Sequence, residues 1–463
     1  MEAGMNVARL NFSHGAYSHH AMLINNIREA SKKQNKPIAI IQDLQGARIR
    51  IGDVAKNGIA VSKKERVIVV SADKLKKITK NASPTPITQR VDRKIIPIVY
   101  PNIEKVVKKN KNIFVDNGLI RLVVEDTSRD YLQCVSENDG IIYSHKGVNL
   151  PHSNINLPAI TEKDIQDIDF GIAHKVDFIA MSFARSAEDI KKLKKIIKSK
   201  VGKEDAGKFG IIVKIEHPDA VKNFDKILRE ADAIMIARGD LGIEIATEQV
   251  PLLQKELTAR CLAVVKPVIV ATHMLESMIE NANPTRAEAN DIANAVIDHA
   301  DAVMLSGETS NGKYPIEAVR TMATIIQATE DSVFDDLLDR EYDCEDSAIG
   351  TAISVLAEGT KAKAILVITS SGKTAKIISK FRPEVPIVTA TESALSMRKL
   401  TLSWGVFPFL VPNIRSVDKI IEQSVFMMKK QRVVQKGDEI IIIAGQPFSE
   451  SKRSSLIKIN IVK

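Results

Sequence analysis

The sequence feature that most constrains the fold is a pair of apolar runs that end in charged residues. One run is GIIVKIE, which starts at Gly210 and includes Lys214 and Glu216, and the other is AIMIARGDLG, which starts at Ala233 and includes Asp240. Each run predicts a strand buried on both faces of a parallel sheet. Charged residues at the ends of buried strands are costly unless they serve a site. We therefore expect these three charges to meet at the carboxyl ends of neighbouring strands, where α/β barrels carry their active sites.

The chemistry of these side chains favours a metal-assisted reaction on an anionic group. Two carboxylates suit a divalent cation that keeps open positions, and a lysine suits a developing oxyanion or a phosphoryl group. A structural ion pair behind a loop is the alternative interpretation. Gly239 and Gly242 flank Asp240, and this setting favours a functional site over the structural pair.

Polar side chains also occur on or after other predicted strands. Arg9, Asn11 and Ser13 alternate along the first strand, so all three lie on one face. Asp43 ends the next strand. Further polar residues follow two later strands: Thr272, Ser306 and Glu308. If the strands close a barrel, these groups converge on the rim that carries Lys214. A phosphate-bearing substrate with Mg²⁺ fits this set best, with the guanidinium of Arg9 as a fork on phosphate.

The order of predicted elements divides the 463 residues into three units. Strands and helices alternate in residues 1–50 and 147–334, which together predict a parallel α/β barrel or a doubly wound sheet. Short β-like segments separated by turn residues fill 51–146 and predict a small inserted β domain. After an acidic stretch around 334–346, residues 346–463 predict a smaller α/β domain with four strands.

Composition narrows the classes of function. The net charge of +9 comes mostly from lysine, but aromatic residues are only 4% and do not interleave with the lysines, so no base-stacking platform for nucleic acid is predicted. The three cysteines form no metal or redox spacing. No apolar run could span a bilayer, and the opening Met-Glu-Ala-Gly does not resemble a secretory leader. We expect a cytoplasmic protein that attracts anionic metabolites and binds neither nucleic acid nor membrane.

A loop in the C-terminal unit has the composition of a phosphate cradle. It follows a strand, precedes a helix and consists of Thr369, Ser370, Ser371, Gly372, Lys373 and Thr374. Hydroxyls, a glycine and free N–H groups at a helix start can bind phosphate. Ordinary Ser/Thr capping of a helix explains the same residues about as well, so both interpretations stay open at this point.

Long motifs of this chain resemble those of pyruvate kinases, in family order. They include GMNVARLNFSHG from Gly4, KGVNLP from Lys146, KIEHPDAVKNFDKIL from Lys214, IMIARGDLGIEI from Ile234 and NPTRAEANDIANAVIDHADAVMLSGET from Asn283. The resemblance covers the barrel densely and the C-terminal unit more loosely. It implies a (β/α)8 TIM barrel whose opening strand is missing from this chain, an inserted small β-barrel lid and a C-terminal α/β domain. It also implies a homotetramer that moves the phosphoryl group of phosphoenolpyruvate to ADP in glycolysis.

Matching motifs assign substrate-binding roles to residues of this chain by resemblance. Arg9 would contact the substrate phosphate, and Lys214 would stabilise the transferring phosphoryl group and the enolate. Backbone groups of Gly239 and Asp240, with Thr272, would bind the carboxylate of phosphoenolpyruvate.

The same resemblance assigns the metal, the nucleotide and an effector. Glu216 and Asp240 would hold Mg²⁺ or Mn²⁺. The nucleotide would lie near four residues: Asn11, His14, Arg50 and Lys146. The C-terminal domain of the family often binds a sugar-phosphate or nucleotide effector, whose phosphate would occupy loop 369–374.

After the second strand the chain departs from the family motif. The family has aspartate-threonine-lysine-glycine-proline-glutamate there, whereas this chain has DLQGAR, which ends at Arg48. In K⁺-dependent members the glutamate supports a monovalent cation, whose position here would be lined by Asn11, Ser13, Asp43 and the carbonyl of Leu44. A fixed guanidinium would repel K⁺ and replace its charge. We therefore expect activity that does not require K⁺.

Three further departures concern a side chain, a loop and the start of the chain. His273 stands where glutamine is common, and we expect this change to be tolerated. Loop 448–455 lacks the glycines that the family uses near its effector, which argues against fructose 1,6-bisphosphate but leaves regulation through loop 369–374. Family members place a strand and a helix before GMNVARLNFSHG. We expect protein expressed from Met1 to be poorly soluble or weakly active, because a barrel without one strand exposes two sheet edges.

Two other functional classes compete with an active pyruvate kinase. A catalytically weak or silent homologue that senses nucleotide or sugar phosphate stays open because of the missing opening strand, although all the catalytic residues assigned above are present. An aldolase-like or lyase barrel that handles pyruvate with Mg²⁺ is less consistent with the inserted β domain and Lys146, which indicate a nucleotide.

Overall fold

A computed structural model of the chain describes residues 1–75, 94–151, 153, 155, 157–334, 345–412, 417–445 and 454–463. Three units follow one another: a parallel sheet with helices, a β-rich insertion and a second α/β unit. The acidic stretch 334–346 and loop 448–455 lie mostly outside the described residues. Among the described residues, no helix has both the length and the apolar character that a membrane span needs.

The parallel sheet begins with a strand, a helix and a second strand. Strand β1 (Val7–Asn11) pairs in parallel with β2 (Ala39–Asp43), and helix Tyr17–Gln34 connects them. This helix ends where Asn35 adopts a left-handed backbone with φ of 49°, a common helix stop. All five residues of β2 are buried, as expected for a strand covered on both faces.

The insertion is rich in short strands, as the sequence pattern predicts, but its sheet extends beyond the predicted 51–146 to residues 49–50 and 147–149. The strands are β3 (Ile49–Arg50), β4 (Ile59–Val61), β5 (Arg66–Ser71), β6 (Ile95–Ile98), β7 (Asn112–Val115), β8 (Ile120–Thr127), β9 (Leu132–Ser136), β10 (Gly140–Ile142) and β11 (Gly147–Asn149), with the short helix Ile103–Val106. Seven form one sheet in the order β3-β11-β7-β8-β9-β5-β6. A bridge between Ile51 and Ile98 brings its two edges together, so the sheet is a nearly closed barrel around its own apolar core.

The parallel sheet resumes after the insertion. Its strands are β12 (Phe178–Met181), β13 (Gly210–Ile215), β14 (Ala233–Ala237), β15 (Val268–Ala271) and β16 (Ala302–Met304). The accompanying helices are Glu162–Ala173, Ala187–Ala206, Pro218–Lys222, Phe224–Glu230, Arg238–Glu244, Val250–Ala263, Arg286–Ile297, Gly307–Ser310 and Pro315–Glu330. A Thr-x-x-Glu capping box, which can be recognised in the sequence, starts helix Arg286–Ile297, where Thr285 and Glu288 bond reciprocally.

The parallel sheet curls without closing. Its order is β1-β2-β12-β13-β14-β15-β16, and within the described residues β1 and β16 are not paired with each other. An open cleft of about 1330 Å³ lies between them, with apolar walls that include Leu10, Leu23, Val303, Met322 and Ile326. A TIM barrel has eight strands, and seven strand positions are filled here. The curled parallel sheet with its surrounding helices confirms the predicted α/β barrel class.

The C-terminal unit is a five-stranded sheet. Its strands are β17 (Ala362–Ile368), β18 (Ile387–Thr391), β19 (Val406–Leu410), β20 (Glu439–Gly445) and β21 (Ser454–Ile461), and its helices are Glu345–Gly359, Lys373–Lys380, Ala394–Leu400 and Val417–Lys430. The order is β19-β18-β17-β20-β21, with β21 antiparallel to β20. The expectation of four strands missed β21, although Ile457, Ile459 and Ile461 alternate with polar residues in a strand-like pattern.

Two cysteines are buried in different units, and this makes a testable prediction about thiol reactivity. Cys134 in β9 and Cys261 in helix Val250–Ala263 are both fully buried and unpaired. Desolvation, with a contribution from Glu125, raises the pKa of Cys134 to about 12. Burial also raises the pKa of Cys261. In a Cys344→Ser variant, we expect a thiol reagent at pH 8 to label neither cysteine in native protein and both in denaturant. Rapid labelling of the native variant would contradict this burial.

Candidate active site

Four charged side chains form a buried network at the carboxyl ends of β1, β2 and β13. The Nε of Arg9 donates to Asp43 Oδ2 at 2.8 Å. Lys214 Nζ lies 3.4 Å from Asp43 Oδ1 and 2.8 Å from Glu216 Oε1. The side chains of Asp43 and Glu216 are each 1% exposed and that of Lys214 is 12% exposed. The structure thus brings these four predicted site residues together in a place with little access to bulk water.

Two residues that the sequence reasoning missed connect this network to β12. Ser182 Oγ accepts a hydrogen bond from Lys214 Nζ at 2.9 Å and donates to the Leu44 carbonyl at 2.8 Å. The N–H of Phe183 donates to Glu216 Oε2 at 2.8 Å, and Phe183 has φ of 55°. Positive φ is strained for a bulky residue, and here it directs an N–H at a carboxylate. One signal in the sequence could have identified Ser182 as a site residue, because it is a polar residue directly after the predicted strand VDFIAM.

Burial and charge act in opposite directions on the titration of this network. Burial disfavours the charged form of Lys214, but Asp43 and Glu216 outweigh it, so the pKa of Lys214 is raised. Burial acts to raise the pKa of Asp43, but Lys214 and Arg9 make the net shift downward. Burial raises the pKa of Glu216, and the nearby Asp240 carboxylate adds to this against the opposing effect of Lys214. A cation bound beside Glu216 would favour its ionised form.

Asp240 lies on a short helix, which corrects the interpretation of AIMIARGDLG as one strand. Strand β14 ends at Ala237, and residues Arg238–Glu244 are helical with Asp240 in the first turn. Negative charge in a first turn is favoured by the helix dipole, which explains why the charged part of the run leaves the sheet. The Asp240 side chain is 22% exposed, and its carboxylate is close enough to affect the titration of Glu216.

Arg48 connects the predicted metal carboxylate to the insertion. Its Nη2 lies 3.2 Å from Asp240 Oδ1 and donates to Asn117 Oδ1 at 2.8 Å. The guanidinium carbon lies 5.9 Å from the centre of the Phe183 ring. A Cβ added to Gly147 would sit 2.5 Å from Arg48 Nε, so the guanidinium packs directly against the backbone of β11. Arg48 thus joins the end of the parallel sheet to the inserted domain.

The structure places the charge of Arg48 differently from the sequence expectation. The predicted monovalent-cation position is formed by Asn11, Ser13, Asp43 and Leu44. These groups have protein partners: the Ser13 N–H donates to Asn11 Oδ1 at 3.1 Å, Arg9 bonds Asp43, and Ser182 bonds the Leu44 carbonyl. In the described part of the chain, the side-chain hydrogen bonds of Arg48 go to Asn117 and Asn149. The positive charge of Arg48 is therefore paired with Asp240 and not with Asn11, Ser13, Asp43 or Leu44.

Thr272 has a strained backbone that orients a hydroxyl next to Gly239. Thr272 and His273 follow β15 with φ of 74° and 55°, and such values cost about 1–3 kcal/mol for each residue with a side chain. Thr272 Oγ1 accepts from the Gly239 N–H at 2.7 Å and donates to the Ala271 carbonyl at 2.6 Å. Arg238 Nη2 donates a hydrogen bond to the Thr272 carbonyl at 2.7 Å. Strain of this kind concentrates at functional sites, which supports the assignment of Thr272.

Four residues are predicted near the nucleotide: Asn11, His14, Arg50 and Lys146. They lie in two places. The first two are at the end of β1, where His14 is exposed. Arg50 and Lys146 lie where the insertion joins the barrel, since Arg50 pairs with Gly147 between β3 and β11. Lys146 Nζ lies 2.9 Å from Asp116 Oδ2, and Arg50 Nη1 donates to the His145 carbonyl at 2.9 Å. Burial, with help from Arg48, lowers the pKa of Arg50.

Glu308 has a structural role that separates it from the other rim carboxylates. It is 3% exposed and accepts hydrogen bonds from the N–H groups of Leu275 at 3.1 Å and Ser306 at 2.7 Å. Both bonds order loops after β15 and β16. Among the described residues, no group of three or more His, Cys, Asp or Glu side chains is arranged to hold a metal. Glu216 and Asp240 alone suit Mg²⁺, which commonly takes one or two carboxylates and keeps water or substrate oxygens.

The predicted phosphate cradle in the C-terminal unit is a tight turn before helix Lys373–Lys380. Thr369 Oγ1 accepts from the Gly372 N–H at 3.1 Å, and Ser371 Oγ accepts from the Lys373 N–H at 3.4 Å. Gly372 has φ of 81°, which glycine adopts without strain. These hydroxyls therefore serve the turn itself, and phosphate binding by this loop stays a prediction.

Comparison with known proteins relates the whole chain to one family. Residues 1–319 match the pyruvate kinase barrel domain, and residues 347–460 match the pyruvate kinase alpha/beta domain. A pyruvate kinase of Clostridium acetobutylicum is 39% identical over 468 residues, which cover 100% of this chain and 95% of the relative. Pyruvate kinases of Geobacillus stearothermophilus and Bacillus licheniformis are 39% and 42% identical over 469 residues, with 100% of this chain and 77% of each relative covered. The similarity includes the insertion as well as both flanking units.

Proposed function

Because this chain belongs to the pyruvate kinase family, we propose that it transfers the phosphoryl group of phosphoenolpyruvate to ADP, which yields pyruvate and ATP. The observation that carries this proposal is the buried network of Arg9, Asp43, Lys214 and Glu216 at the strand ends. Fixed cations beside carboxylates are the charge pattern required to bind a phosphate ester together with a divalent metal. The chain is accordingly a phosphotransferase in this proposal.

Arg9 and Lys214 stabilise negative charge on the substrate. Asp43 holds one side of the Arg9 guanidinium, which leaves other N–H groups to bind the substrate phosphate. Lys214 stays protonated because its carboxylate neighbours raise its pKa. It stabilises the phosphoryl group during transfer and the enolate oxygen that remains. Both charges are already oriented, so little reorganisation is needed during the reaction.

Glu216 and Asp240 are the residues that would hold Mg²⁺ or Mn²⁺. When bound, the cation neutralises charge on phosphate oxygens and orients the substrate. Glu216 is aligned for this by the Phe183 N–H. Asp240 is aligned by its position in the first turn of helix Arg238–Glu244. Repulsion between the Asp240 and Glu216 carboxylates contributes to the raised pKa of Glu216. A cation shared by the two carboxylates would relieve this repulsion.

The carboxylate of phosphoenolpyruvate is assigned to Thr272 and the start of helix Arg238–Glu244. The Gly239 N–H donates to the Thr272 hydroxyl oxygen. A substrate carboxylate would offer this N–H an alternative acceptor. The N–H groups of Gly239 and Asp240 lie in the first turn, where a helix offers its N–H groups no acceptor of its own.

ADP is assigned to the space between the end of β1 and the insertion. Asn11 and His14 lie on the barrel side, and Arg50 and Lys146 lie where the insertion is attached. Cations there suit the ADP phosphates.

Three finer assignments rest on the family and on the described loop. The chain is proposed to be a cytoplasmic homotetramer, and loop 369–374 is proposed to bind the phosphate of a sugar-phosphate or nucleotide effector. Isothermal titration with sugar phosphates and AMP tests the loop. Absence of binding by all of them would leave the turn as a helix cap only.

The function is tested by pyruvate formation from phosphoenolpyruvate and ADP with Mg²⁺, followed by coupled reduction of pyruvate. Turnover that requires all three components supports the proposal. Nucleotide binding without turnover in folded protein would favour the silent sensor instead. Pyruvate formation without ADP would favour a lyase-like reaction.

We propose that turnover does not require K⁺. The groups of the predicted monovalent-cation position already have protein partners, and Arg48 adds a fixed positive charge at the rim beside Asp240, so we expect equal rates in KCl and in tetramethylammonium chloride, a pair that keeps chloride constant. An Arg48→Glu variant should lose about tenfold or more of its turnover, because it puts a negative charge beside the metal carboxylate, and K⁺ should restore part of the loss. Arg48→Gln is the matched neutral control. A wild-type rate that collapses without K⁺ would overturn this assignment.

A further inference from the structure

A cluster of cations surrounds a small cavity between the parallel barrel and the C-terminal unit. The cavity measures about 10 Å³, which is room for the centre of one water-sized particle. Its polar lining includes Lys266, Asp301, Lys376, Lys380, Arg382 and Ser403. Four of these side chains are cationic and one is acidic, so the lining has an excess of positive charge. None of them belongs to the phosphoryl-transfer site described above.

Two deeply buried polar atoms of this lining have no hydrogen-bond partner among the residues that the structure describes. They are Ser403 Oγ and Arg382 Nε. Ser403 is 5% exposed, and the Arg382 side chain is 3% exposed. A buried donor without an acceptor is destabilising, and native proteins rarely leave one unsatisfied. The Arg382 Nε–H can only donate and the Ser403 hydroxyl can donate or accept, so an acceptor between them would satisfy both atoms.

Lys376 differs from the other cations around the cavity. Lys380 donates to the Ala263 carbonyl at 3.1 Å. Arg382 donates to the His299 carbonyl at 2.7 Å and forms an ion pair with Asp301 Oδ1 at 3.3 Å, which leaves the three lysines without a carboxylate partner in the lining. Lys266 donates to the Arg229 carbonyl at 2.9 Å. In the described part of the chain, the amine of Lys376 has no hydrogen bond or ion pair, and burial lowers its pKa against the opposing effects of Asp232 and Asp301. It is thus an unsatisfied cation beside two unsatisfied donors.

We propose that this cavity binds a small inorganic anion of halide size, for which chloride is the physiological candidate, through Lys376, Arg382 and Ser403. Water could accept from one or two of these donors but would leave the excess positive charge uncompensated. The volume of about 10 Å³ matches a single small ion better than a phosphate or a carboxylic acid. An anion there would tie helix Lys373–Lys380 to the barrel, since Lys266 and Asp301 of the barrel also line the cavity. The site is therefore a stabilising contact between the two units.

Bromide tests occupancy directly, because it replaces chloride and scatters anomalously. Crystals of the full chain grown with sodium bromide should show an anomalous peak between Lys376, Arg382 and Ser403. Density there without anomalous signal would identify a water molecule and overturn the proposal.

Thermal unfolding provides an independent measurement in solution. Sodium chloride should raise the Tm of the wild type by about 2 °C relative to sodium gluconate at equal ionic strength. The difference should disappear in Lys376→Met and in Ser403→Ala. It should persist in Lys198→Met, which removes the same charge from an exposed position of helix Ala187–Ala206. An equal chloride effect in wild type and Lys376→Met would overturn the proposal. If a variant fails to fold, the bromide crystals of the wild type still test the proposal.

Discussion

Replacement of Lys214 by glutamine should lower kcat for phosphoryl transfer about 10³-fold. The amine is held between Asp43 and Glu216 in a setting where its side chain is only 12% exposed, so water cannot supply an equivalent charge. The amide keeps most of the volume and can still bond Ser182, but it cannot stabilise a phosphoryl group or an enolate as a cation does. Steady-state kinetics with saturating substrates and Mg²⁺ measure the loss.

Two controls separate this catalytic effect from a loss of structure. Removal of one partner from a buried ion pair costs about 3–5 kcal/mol, so the unfolding of Lys214→Gln must be measured and the assay run where the variant is folded. Lys214→Arg keeps the charge and should retain more activity than Lys214→Gln. Lys198→Gln, on an exposed helix face, should behave as the wild type. If folded Lys214→Gln keeps a kcat close to that of the wild type, Lys214 does not act on the transferred group.

Replacement of Glu216 by glutamine should weaken divalent-metal binding at least about tenfold and lower kcat by a larger factor. Glutamine keeps an oxygen to accept the Phe183 N–H, so the local backbone should hold its conformation while one of the two metal carboxylates loses its charge. Mn²⁺ titration followed by electron paramagnetic resonance measures affinity without turnover. The Mg²⁺ dependence of the rate then gives the corresponding effect on catalysis.

Glu308→Gln is the matched control for the metal prediction. Glu308 is also a buried carboxylate near the strand ends, but it bonds the N–H groups of Leu275 and Ser306. We expect its amide variant to be less stable, since it loses a charge-assisted acceptor, and to keep Mn²⁺ affinity close to that of the wild type. Equal loss of Mn²⁺ affinity in both variants would mean that Glu216 is not distinguished as a metal ligand.

Much of the fold was predictable because local patterns and tertiary environment agree. Buried parallel strands need continuous apolar runs, and such runs mark β2, β13 and β14 in the sequence. Helix starts were readable where capping is local, as at Thr285 and Glu288. The exception was Asp240. Its run continues the apolar pattern of β14, and the change to a helix depends on a turn that hydropathy does not encode.

The site was predictable at the level of charge types and less so at the level of contacts. Arg9, Asp43, Lys214 and Glu216 could be grouped because the strand ends of a parallel barrel share one rim. The roles of Ser182 and Phe183 could not, since one depends on packing between adjacent strands and the other on a positive φ. Arg48 was recognised as an unusual charge, but its contact with Asp240 depends on how the insertion packs against the barrel.

The sequence by itself determined the family, the succession of strands and helices and the types of charge at the rim, because these follow from local hydropathy and from motifs that can be read in order. Only the tertiary structure decided which charges touch, since Lys214, Asp43 and Ser182 are far apart in the chain and meet through sheet pairing. It also decided where burial leaves polar atoms without partners, as at Ser403 and Arg382. Those atoms are brought together by the packing of two separate units, and no local pattern records that contact.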